Sequence, residues 1–170
     1  MSYLTQDHTV NMLHIRPATP QDVPLILDLI RGLAEYEKLA HEVVATEALL
    51  HETLFGERPY AEVVIAEADS ETVGFALFFH NYSTFLGRAG IYLEDLFIRP
   101  QFRGHGYGKA LLQYVGQLAN ARGCGRFEWS VLDWNEPAIR FYEHMGAVPM
   151  TGWRIMRVTG DALRSFGQGT

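Results

Sequence analysis

Residues 91–109 constrain the fold of this chain more than any other stretch. An apolar strand pattern, Ile-Tyr-Leu-Glu-Asp-Leu-Phe-Ile, leads into a basic turn with glycine at positions 104, 106 and 108. Apolar residues then recur at the three-and-four spacing of one buried helix face, and Gly123 is suited to end that helix. The pattern therefore predicts a strand, a tight turn and a helix that starts at the glycines.

The turn between this strand and this helix has the properties of a phosphate site. The first N–H groups of a helix have no intrahelical acceptor, and the helix dipole favours negative charge beside them. Arg103 and Lys109 add two positive charges. We therefore expect the turn to bind a phosphate-bearing cofactor. The alternative is a strand-to-helix turn in which the glycines serve only the backbone geometry.

Two other glycine-loop motifs do not match. A Walker loop requires Ser or Thr after its lysine, and here Ala110 follows Lys109. A dinucleotide fingerprint counted from Gly104 requires a third glycine at the position of Lys109.

The remaining patterns predict a mixed α/β (α+β) fold in which helices flank a sheet, and the strands at 63–66 and 73–79 should form an antiparallel pair across the turn at 69–71. Thr19 and Pro20 mark the start of a first helix, and Thr46 and Gly56 bound a second. A short helix is expected at 135–146. Strands are expected at 13–16, 63–66, 73–79, 91–98, 126–132 and 153–158. We expect residues 1–11 to form a flexible leader and residues 12–170 to form one domain.

Composition narrows the class of function. A chain of 170 residues with 48% apolar residues can bury one substantial core. Its net charge of −6 argues against nucleic acid or anionic membrane as a partner and suits a cationic substrate. Cys124 is the only cysteine, the N-terminus lacks the features of a signal peptide, and no apolar run approaches a membrane span. We expect a reducing, cytoplasmic compartment. The histidines show no metal-ligand spacing, so we expect no metal.

A second informative stretch reads Asp-Trp-Asn-Glu-Pro-Ala-Ile-Arg-Phe-Tyr at residues 133–142. Asn135 and Tyr142 are seven residues apart, close to two helical turns, so both side chains can face one cleft. The alternative makes Asn135 a helix cap and Tyr142 a half-buried core aromatic.

Together these two stretches resemble the GNAT superfamily of N-acetyltransferases. The Arg-Gly-His-Gly-Tyr-Gly run resembles its Q/R-x-x-G-x-G/A acyl-CoA loop, and Asn-x-x-Ala-x-x-x-Tyr resembles its second signature. The resemblance implies a GNAT fold, in which helices flank a central, twisted and mostly antiparallel sheet that splays at the cofactor site. It also implies acetyl-CoA as cofactor, with loop amides on the pyrophosphate, the asparagine on the pantetheine arm and the tyrosine beside the sulfur. The implied cofactor contacts are Leu96, Phe97, Ile98, Arg103, Gly104, His105, Gly106, Tyr107, Gly108, Lys109, Asn135, Pro137, Ala138 and Tyr142.

Other segments resemble one branch of that superfamily, the diamine (spermidine/spermine) acetyltransferases and their thialysine-acetylating relatives. These segments include Ile-Arg-Pro-Ala-Thr, Leu-Ala-Glu-Tyr-Glu-Lys and Tyr-Leu-Glu-Asp-Leu-Phe, and the likeness covers residues 15 to about 166. It implies a homodimer with the active site near the subunit boundary. The implied amine-site residues are Tyr36, Glu37, Glu94, Glu128, Trp129 and Ser130.

Two departures from the polyamine enzymes bear on the substrate. Residues 81–85 hold no acid where those enzymes carry an aspartate, and Thr151 replaces a glutamate. A site with fewer carboxylates should bind long polycations less well. We therefore expect a smaller primary amine, such as a diamine or a lysine analogue, with polyamines as the second choice.

Acetyl transfer to an amine needs a base, because a free alkylamine has a pKa near ~10.4 and is protonated at neutral pH. Strand alternation puts Glu94 and Asp95 on opposite faces, and we choose Glu94 as the base, acting directly or through a water. For Asp95 we expect a carboxylate bonded to the backbone of the next loop. Tyr142 should return a proton to the thiolate, and a backbone N–H of residues 96–98 should stabilise the oxyanion.

A function of another class remains open, a non-catalytic acyl-CoA-binding or regulatory module. Such a module needs only the loop, whereas Glu94, Asn135 and Tyr142 together favour an enzyme.

Overall fold

The structure, a computed structural model, describes residues 12–167. The predicted leader at 1–11 lies outside the described residues. The chain divides into two compact units, one ending at Ser130 and the other beginning at Val131. Each unit is described by itself, and the single domain expected over 12–170 stays a prediction.

The first unit contains one five-stranded sheet. Its elements in chain order are β1 (Leu13–Pro17), α1 (Val23–Tyr36), α2 (Glu47–Phe55), β2 (Glu62–Ala68), β3 (Glu71–Ser83), β4 (Arg88–Ile98), α3 (Tyr107–Ala121) and β5 (Phe127–Trp129). The strands lie in the order of the chain, and every pair is antiparallel except the parallel pair of β4 and β5. The predicted fold class, a mixed and mostly antiparallel sheet with flanking helices, is confirmed.

Helices cover both faces of this sheet. On one face α1 and α2 pack against a core that includes Phe75 of β3 and Phe97 of β4. On the other face α3 packs against β3 and β4, with Leu111 and Val115 fully buried. These are the apolar positions that the helical periodicity of α3 predicts to face the core.

The local stop and start signals of the helices are also confirmed. The N–H of Leu49 donates to Thr46 Oγ1 over 3.3 Å, and Gly56 is the C-cap of α2. At the end of α3, Gly123 has a φ of 67° and its N–H donates to Asn120 O over 3.0 Å. A left-handed residue at this position ends a helix at little cost when it is glycine.

A β-bulge in β4 shapes the centre of the sheet. Leu77 pairs with Asp95 and the next β3 residue, Phe78, pairs with Leu93, so Glu94 is the extra residue on β4. A bulge interrupts the strict alternation of side chains, and it bends the strand. We expected regular strand alternation to place Glu94 and Asp95 on opposite faces of the sheet. Because of the bulge, the strand is not regular at these two residues.

Beyond the bulge, β4 has an open edge within the first unit. β5 pairs only with residues 91–93 of β4. The N–H of Arg99 donates to Val73 O on the β3 side, so alternation directs the N–H groups of Leu96 and Ile98 away from β3. The sheet therefore splays between β4 and β5, as the family resemblance implies.

The second unit contains α4 (Glu136–His144) and α5 (Gly160–Ser165). The prediction of a strand at 153–158 is wrong, because these residues belong to no strand and their side chains are exposed. A strand requires a hydrogen-bonded neighbour, which an alternating sequence does not supply by itself. In the first unit, β5 is also shorter than the predicted 126–132.

An ion network fixes the start of α1. Arg16 on β1 donates to both carboxylate oxygens of Asp22 at 2.8 and 3.0 Å and to Glu67 Oε1 on β2 at 2.9 Å. Thr19 completes the turn with hydrogen bonds from its N–H and its hydroxyl to Asp22. The Arg16 guanidinium lowers the pKa of Asp22 from 3.8 to about 2. The network thus holds α1 in register with the sheet.

We expect Asp22→Asn to destabilise the protein by about 1–3 kcal/mol at pH 7. The folded-state pKa of Asp22 is depressed, so this contribution is complete above the unfolded value near 4 and is lost as pH falls towards about 2. Urea unfolding from pH 7 to pH 3 should therefore show a narrowing gap between the variant and the wild type. The exposed Glu57→Gln serves as the control, and a gap that does not change with pH would contradict the assignment.

Candidate active site

The glycine turn presents backbone N–H groups at the start of α3. Gly104 and Gly106 have φ angles of 83° and 81°, and Gly106 is the N-cap of α3. Only glycine adopts such angles without strain. Among the described residues, no backbone acceptor is hydrogen-bonded to the N–H groups of residues 104–109. These N–H groups are the donors that a helix N-terminus offers to an anion.

The side chain of His105 contacts the turn itself and does not extend away from it. His105 Nδ1 lies 3.0 Å from the carbonyl oxygen of Arg103, and its ring stacks on Tyr107 at 5.6 Å. Tyr107 is itself buried, whereas Lys109 is exposed. The cofactor contact predicted for Tyr107 would therefore have to use its backbone N–H, whereas the side chain of Lys109 is free to contribute its charge, and both roles stay predictions. Unbonded N–H groups with adjacent cations fit a diphosphate such as that of coenzyme A.

The strand residues predicted to contact the cofactor can do so chiefly through the backbone. Phe97 and Ile98 are buried, and a Cβ placed on Gly108 would lie 3.6 Å from Ile98 Cγ1 and 3.9 Å from Leu96 Cδ2. Their side chains thus fill the core under α3 and α1. The N–H groups of Leu96 and Ile98 remain directed at the open edge of β4.

Arg103 joins the turn to the end of α1. Its Nε donates to Ile98 O over 3.0 Å, and its guanidinium lies 4.4 Å from the ring centre of Tyr36. Such a stack of a cation on an aromatic ring holds both groups in place. Glu37 directly follows Tyr36 at the C-cap of α1. The predicted phosphate turn and two of the predicted amine-site residues are therefore neighbours in the first unit.

A group of three carboxylates lies beside this junction, formed by Glu37, Glu94 and Asp95. Burial and, to a smaller extent, the negative charges of Glu94 and Glu37 together raise the pKa of Asp95 from 3.8 to about 7. Burial also raises the pKa of Glu37. Glu94, at the bulge, is exposed. At neutral pH this group can therefore hold or accept a proton, which isolated surface carboxylates do not do.

Asp95 is the residue whose importance the sequence did not reveal. We expected it to bond to the backbone of the next loop, but within residues 12–167 no hydrogen bond is among the interactions that set the pKa of its carboxylate. Its pairing with Leu77 places it on the α1 face of the sheet. The only signal in the sequence was the adjacent Glu-Asp pair. The position of the bulge had to be known before one could tell which of the two side chains faces α1.

The predicted amine-site residues of β5 are part of a polar cluster. Glu128 Oε2 lies 2.9 Å from Arg126 Nε and accepts a hydrogen bond of 2.8 Å from Asn81 Nδ2. Ser130 Oγ lies 2.6 Å from the hydroxyl oxygen of Tyr92. The negative charge of Glu128 is thus already paired. Arg126 was not predicted to belong to the site, and no motif in the sequence marks it.

Trp129 points away from this cluster. Its ring lies 4.9 Å from that of Phe127, on the face of the sheet opposite to Glu128. Its predicted role at the amine stays a prediction.

The residues of the second signature lie in the second unit. Asn135 is the N-cap of α4, and its Oδ1 accepts a hydrogen bond of 3.4 Å from the N–H of Ala138. Pro137 occupies the first turn, where its fixed φ favours a helix start. Tyr142 is half-buried, and its ring lies 5.3 Å from that of Phe141. The cofactor roles of Asn135, Pro137, Ala138 and Tyr142 stay predictions.

Two further observations concern the described part of the chain alone. No group of three or more His, Cys, Asp or Glu side chains is arranged there to hold a metal ion. Within the same residues, every helix is too short or too polar to cross a membrane.

Asp95→Asn should stabilise the protein at high pH. The folded-state pKa of Asp95 is raised, so ionising it costs folding energy that is absent below about pH 4 and complete above about pH 7. The neutral amide removes this cost, so we expect a gain of about 2–4 kcal/mol at pH 8 and little change at pH 4. Chemical unfolding at the two pH values measures it, with the exposed Glu71→Gln as control. An equal effect at both pH values would refute the burial of a charge here.

Comparison with known proteins agrees with this geometry. Residues 28–147 match the Acetyltransferase (GNAT) family. The chain is 39% identical to L-ornithine N5-acetyltransferase of Arabidopsis thaliana, over 89% of this chain and 86% of that protein. It is 40% identical to thialysine N-epsilon-acetyltransferase of Mus musculus, over 89% of this chain and 95% of that protein.

Solved structures show the same fold. An integron cassette protein from the mobile metagenome of V. cholerae superposes with a TM-score of 0.78 at 22% identity, covering 92% of this chain and 98% of that protein. An aminoglycoside acetyltransferase from an uncultured soil sample gives a TM-score of 0.72, also at 22% identity, and covers 87% and 99% of the two chains. With the glycine turn, the splayed strands and these relatives in agreement, the chain belongs to the GNAT family of acetyltransferases and is an acyltransferase.

Proposed function

We propose that this protein transfers the acetyl group of acetyl-CoA to the terminal primary amine of a small diamine or diamino acid, by direct attack in a ternary complex. The observation that carries the proposal is the contact of Arg103 with Tyr36, which puts an anion-binding turn beside the carboxylates of Glu37 and Asp95. A donor with a phosphate handle and an acceptor with a positive charge need these two features side by side.

The residues of the turn would hold the donor. GNAT acetyltransferases take their acetyl group from acetyl-CoA, which supplies a thioester as the activated acyl group. The N–H groups of residues 104–109 and the charges of Arg103 and Lys109 would bind its diphosphate. The outward N–H groups of Leu96 and Ile98 would stabilise negative charge on a carbonyl oxygen at the open edge of β4.

The carboxylates would prepare the acceptor. An alkylammonium must lose a proton before its nitrogen can attack, and a base works best when its pKa lies near the working pH. Asp95, with a pKa of about 7, meets this condition, and the adjacent Glu94 is the exposed member that can take the proton directly or through a water. The negative charge of these carboxylates would also attract a cationic amine and so favour its binding.

The relatives support the choice of amine. Proteins about 40% identical to this chain act on thialysine and on L-ornithine, and both substrates are α-amino acids with a terminal amine. Glu128, which the sequence assigned to the amine site, is paired with Arg126, so it adds no net negative charge for a polycation. Small diamino acids are therefore the first choice and polyamines the second. The homodimer and the cytoplasmic compartment remain predictions from the sequence.

The decisive experiment is a thiol-release assay with acetyl-CoA and a panel of L-ornithine, thialysine, 1,4-diaminobutane and spermidine. We expect turnover with the diamino acids. Tyr142→Phe should lower kcat by about 10²-fold or more, the contribution of a general acid, with little change in the KM for acetyl-CoA. Tyr60→Phe is the matched control, since Tyr60 is 68% exposed and lies between α2 and β2.

The same assay can contradict each part of the proposal. A wild-type protein that binds acetyl-CoA but is silent on every amine would favour the non-catalytic acyl-CoA-binding module. Full activity of Tyr142→Phe would remove Tyr142 as the proton donor and leave the transferase function intact.

Gly106→Ala should raise the KM for acetyl-CoA by about tenfold without a matching change for the amine. An alanine at this position costs about 1–2 kcal/mol of backbone strain, and this strain would disturb the turn whose N–H groups are proposed to bind the diphosphate, although the Cβ itself would meet nothing within 4 Å. Gly123→Ala carries the same strain at the other end of α3, where φ is 67°. Thermal unfolding should show similar losses for both variants. An equal rise of the KM in Gly123→Ala would show that strain alone, and not the turn, is responsible.

A further inference from the structure

Arg126, Glu128 and Asn81 form a polar cluster that the proposed chemistry does not use. Glu128 Oε2 lies 2.9 Å from Arg126 Nε and accepts a bond of 2.8 Å from Asn81 Nδ2, and Arg126 Nη2 donates to Tyr82 O over 3.1 Å. A carboxylate only accepts hydrogen bonds, so Glu128 orients the Asn81 amide with its NH₂ inwards. The side chains of Arg126 and Glu128 remain 36% exposed, so a ligand can reach them.

Gly90 of β4 makes room for this cluster. A Cβ at position 90 would lie 2.4 Å from Asn81 Oδ1 and 2.7 Å from Arg126 Cγ, closer than atoms pack. Any larger residue would push the two side chains apart. The side chains of Asn81 and Arg126 therefore lie close together above the backbone of β4, in the space that a Cβ would fill, and both contact Glu128.

The cluster lies on the same face of the sheet as Asp95. Leu77, which pairs with Asp95, is four residues before Asn81 on β3, so both point to one side. Leu77 and Asn81 are about 14 Å apart along the strand, at roughly 3.4 Å per residue. Between them the rings of Phe79 and Tyr92 lie 5.3 Å apart and form an apolar floor. The face thus has carboxylates at one end, rings in the middle and a mixed-charge cluster at the other.

We propose that Arg126, with Glu128 and Asn81, binds the amino-acid head of the substrate, which makes α-carboxylate-bearing diamino acids the preferred acceptors over simple diamines. This inference rests on the proposed transferase function. Arg126 would bind the α-carboxylate and Glu128 the α-ammonium, while the terminal amine reaches Asp95.

The dimensions and charges agree with this arrangement. The terminal nitrogen and carboxyl carbon of an extended ornithine are about 6 Å apart, at roughly 3.5 Å for every three bonds. The side chains at both ends and two hydrogen bonds of about 2.8 Å span the rest. A zwitterionic head gives each charge of the Arg126–Glu128 pair an opposite partner. A diamine instead brings a bare ammonium next to the Arg126 guanidinium.

The test compares two substrates that differ only in the carboxylate, L-ornithine and 1,4-diaminobutane. In Arg126→Gln we expect kcat/KM for ornithine to fall by about 10- to 100-fold, the loss of a charge-assisted hydrogen bond. For diaminobutane it should stay or rise, because Glu128 loses its partner and becomes available to an ammonium. Arg126→Lys, which keeps the charge, should restore part of the ornithine activity. Arg31→Gln on the exposed side of α1 is the control.

A fall in kcat/KM for ornithine without a fall for diaminobutane is the signature that a structural role of Arg126 cannot produce. An equal loss on both substrates, or an unchanged ratio, overturns the inference while the transferase function stands. Calorimetric binding of the same two amines in the presence of coenzyme A tests the preference without turnover. A protein that binds ornithine no better than diaminobutane there also overturns it, whereas a protein that binds ornithine selectively but transfers no acetyl group refutes only the proposed function.

Discussion

The bulge and open edge of β4 are the constraint on which the first unit depends. Because Glu94 is an extra residue, the strand turns Asp95 towards α1 and then continues to Ile98 without a neighbour on its far side. The backbone N–H groups of that edge are left for other partners, and the chain passes directly into the glycine turn. One strand thus supplies Glu94, Asp95, outward-facing N–H groups and the route to the N-terminus of α3, which are the features that the proposed transfer between two substrates requires.

The electrostatics of the site oppose folding and favour function. Asp95 is partly buried beside two other acids, and its raised pKa measures the energy that its ionised form costs. Within the described residues, no hydrogen bond or positive charge is among the interactions that set the pKa of Asp95, so its ionised form is not compensated. Such uncompensated charge is typical of positions where a ligand provides the missing partner. A cationic amine is a suitable partner, and the negative net charge of the chain attracts it.

If the proposed function holds, the charge distribution over the sheet would separate two classes of amine. The charges that act on the Asp95 carboxyl are those of two further acids, Glu94 and Glu37, whereas Arg126 and Glu128 are paired with each other. A long polycation would find a carboxylate at one end only, whereas a diamino acid would find opposite charges for all three of its ionised groups. The loss of acids at residues 81–85 and at Thr151 points in the same direction. Specificity of this kind arises from the unfavourable contacts of the wrong substrate as much as from the contacts of the right one.

Local patterns in the sequence were sufficient for the approximate positions of the five strands, the helix caps, the glycine turn and the family, because each depends on residues close together in the chain. The turn at Gly104 and Gly106 requires positive φ angles wherever it occurs, so its identity follows from composition. Contacts between distant segments decided the rest. The bulge at Glu94, the raised pKa of Asp95 and the meeting of Asn81 with Arg126 over Gly90 arise from strand register and burial. The alternating pattern of one strand does not say which segment will pair with it. For this reason the sequence suggested a strand at 153–158 that does not form, and it did not mark Arg126 as part of the site.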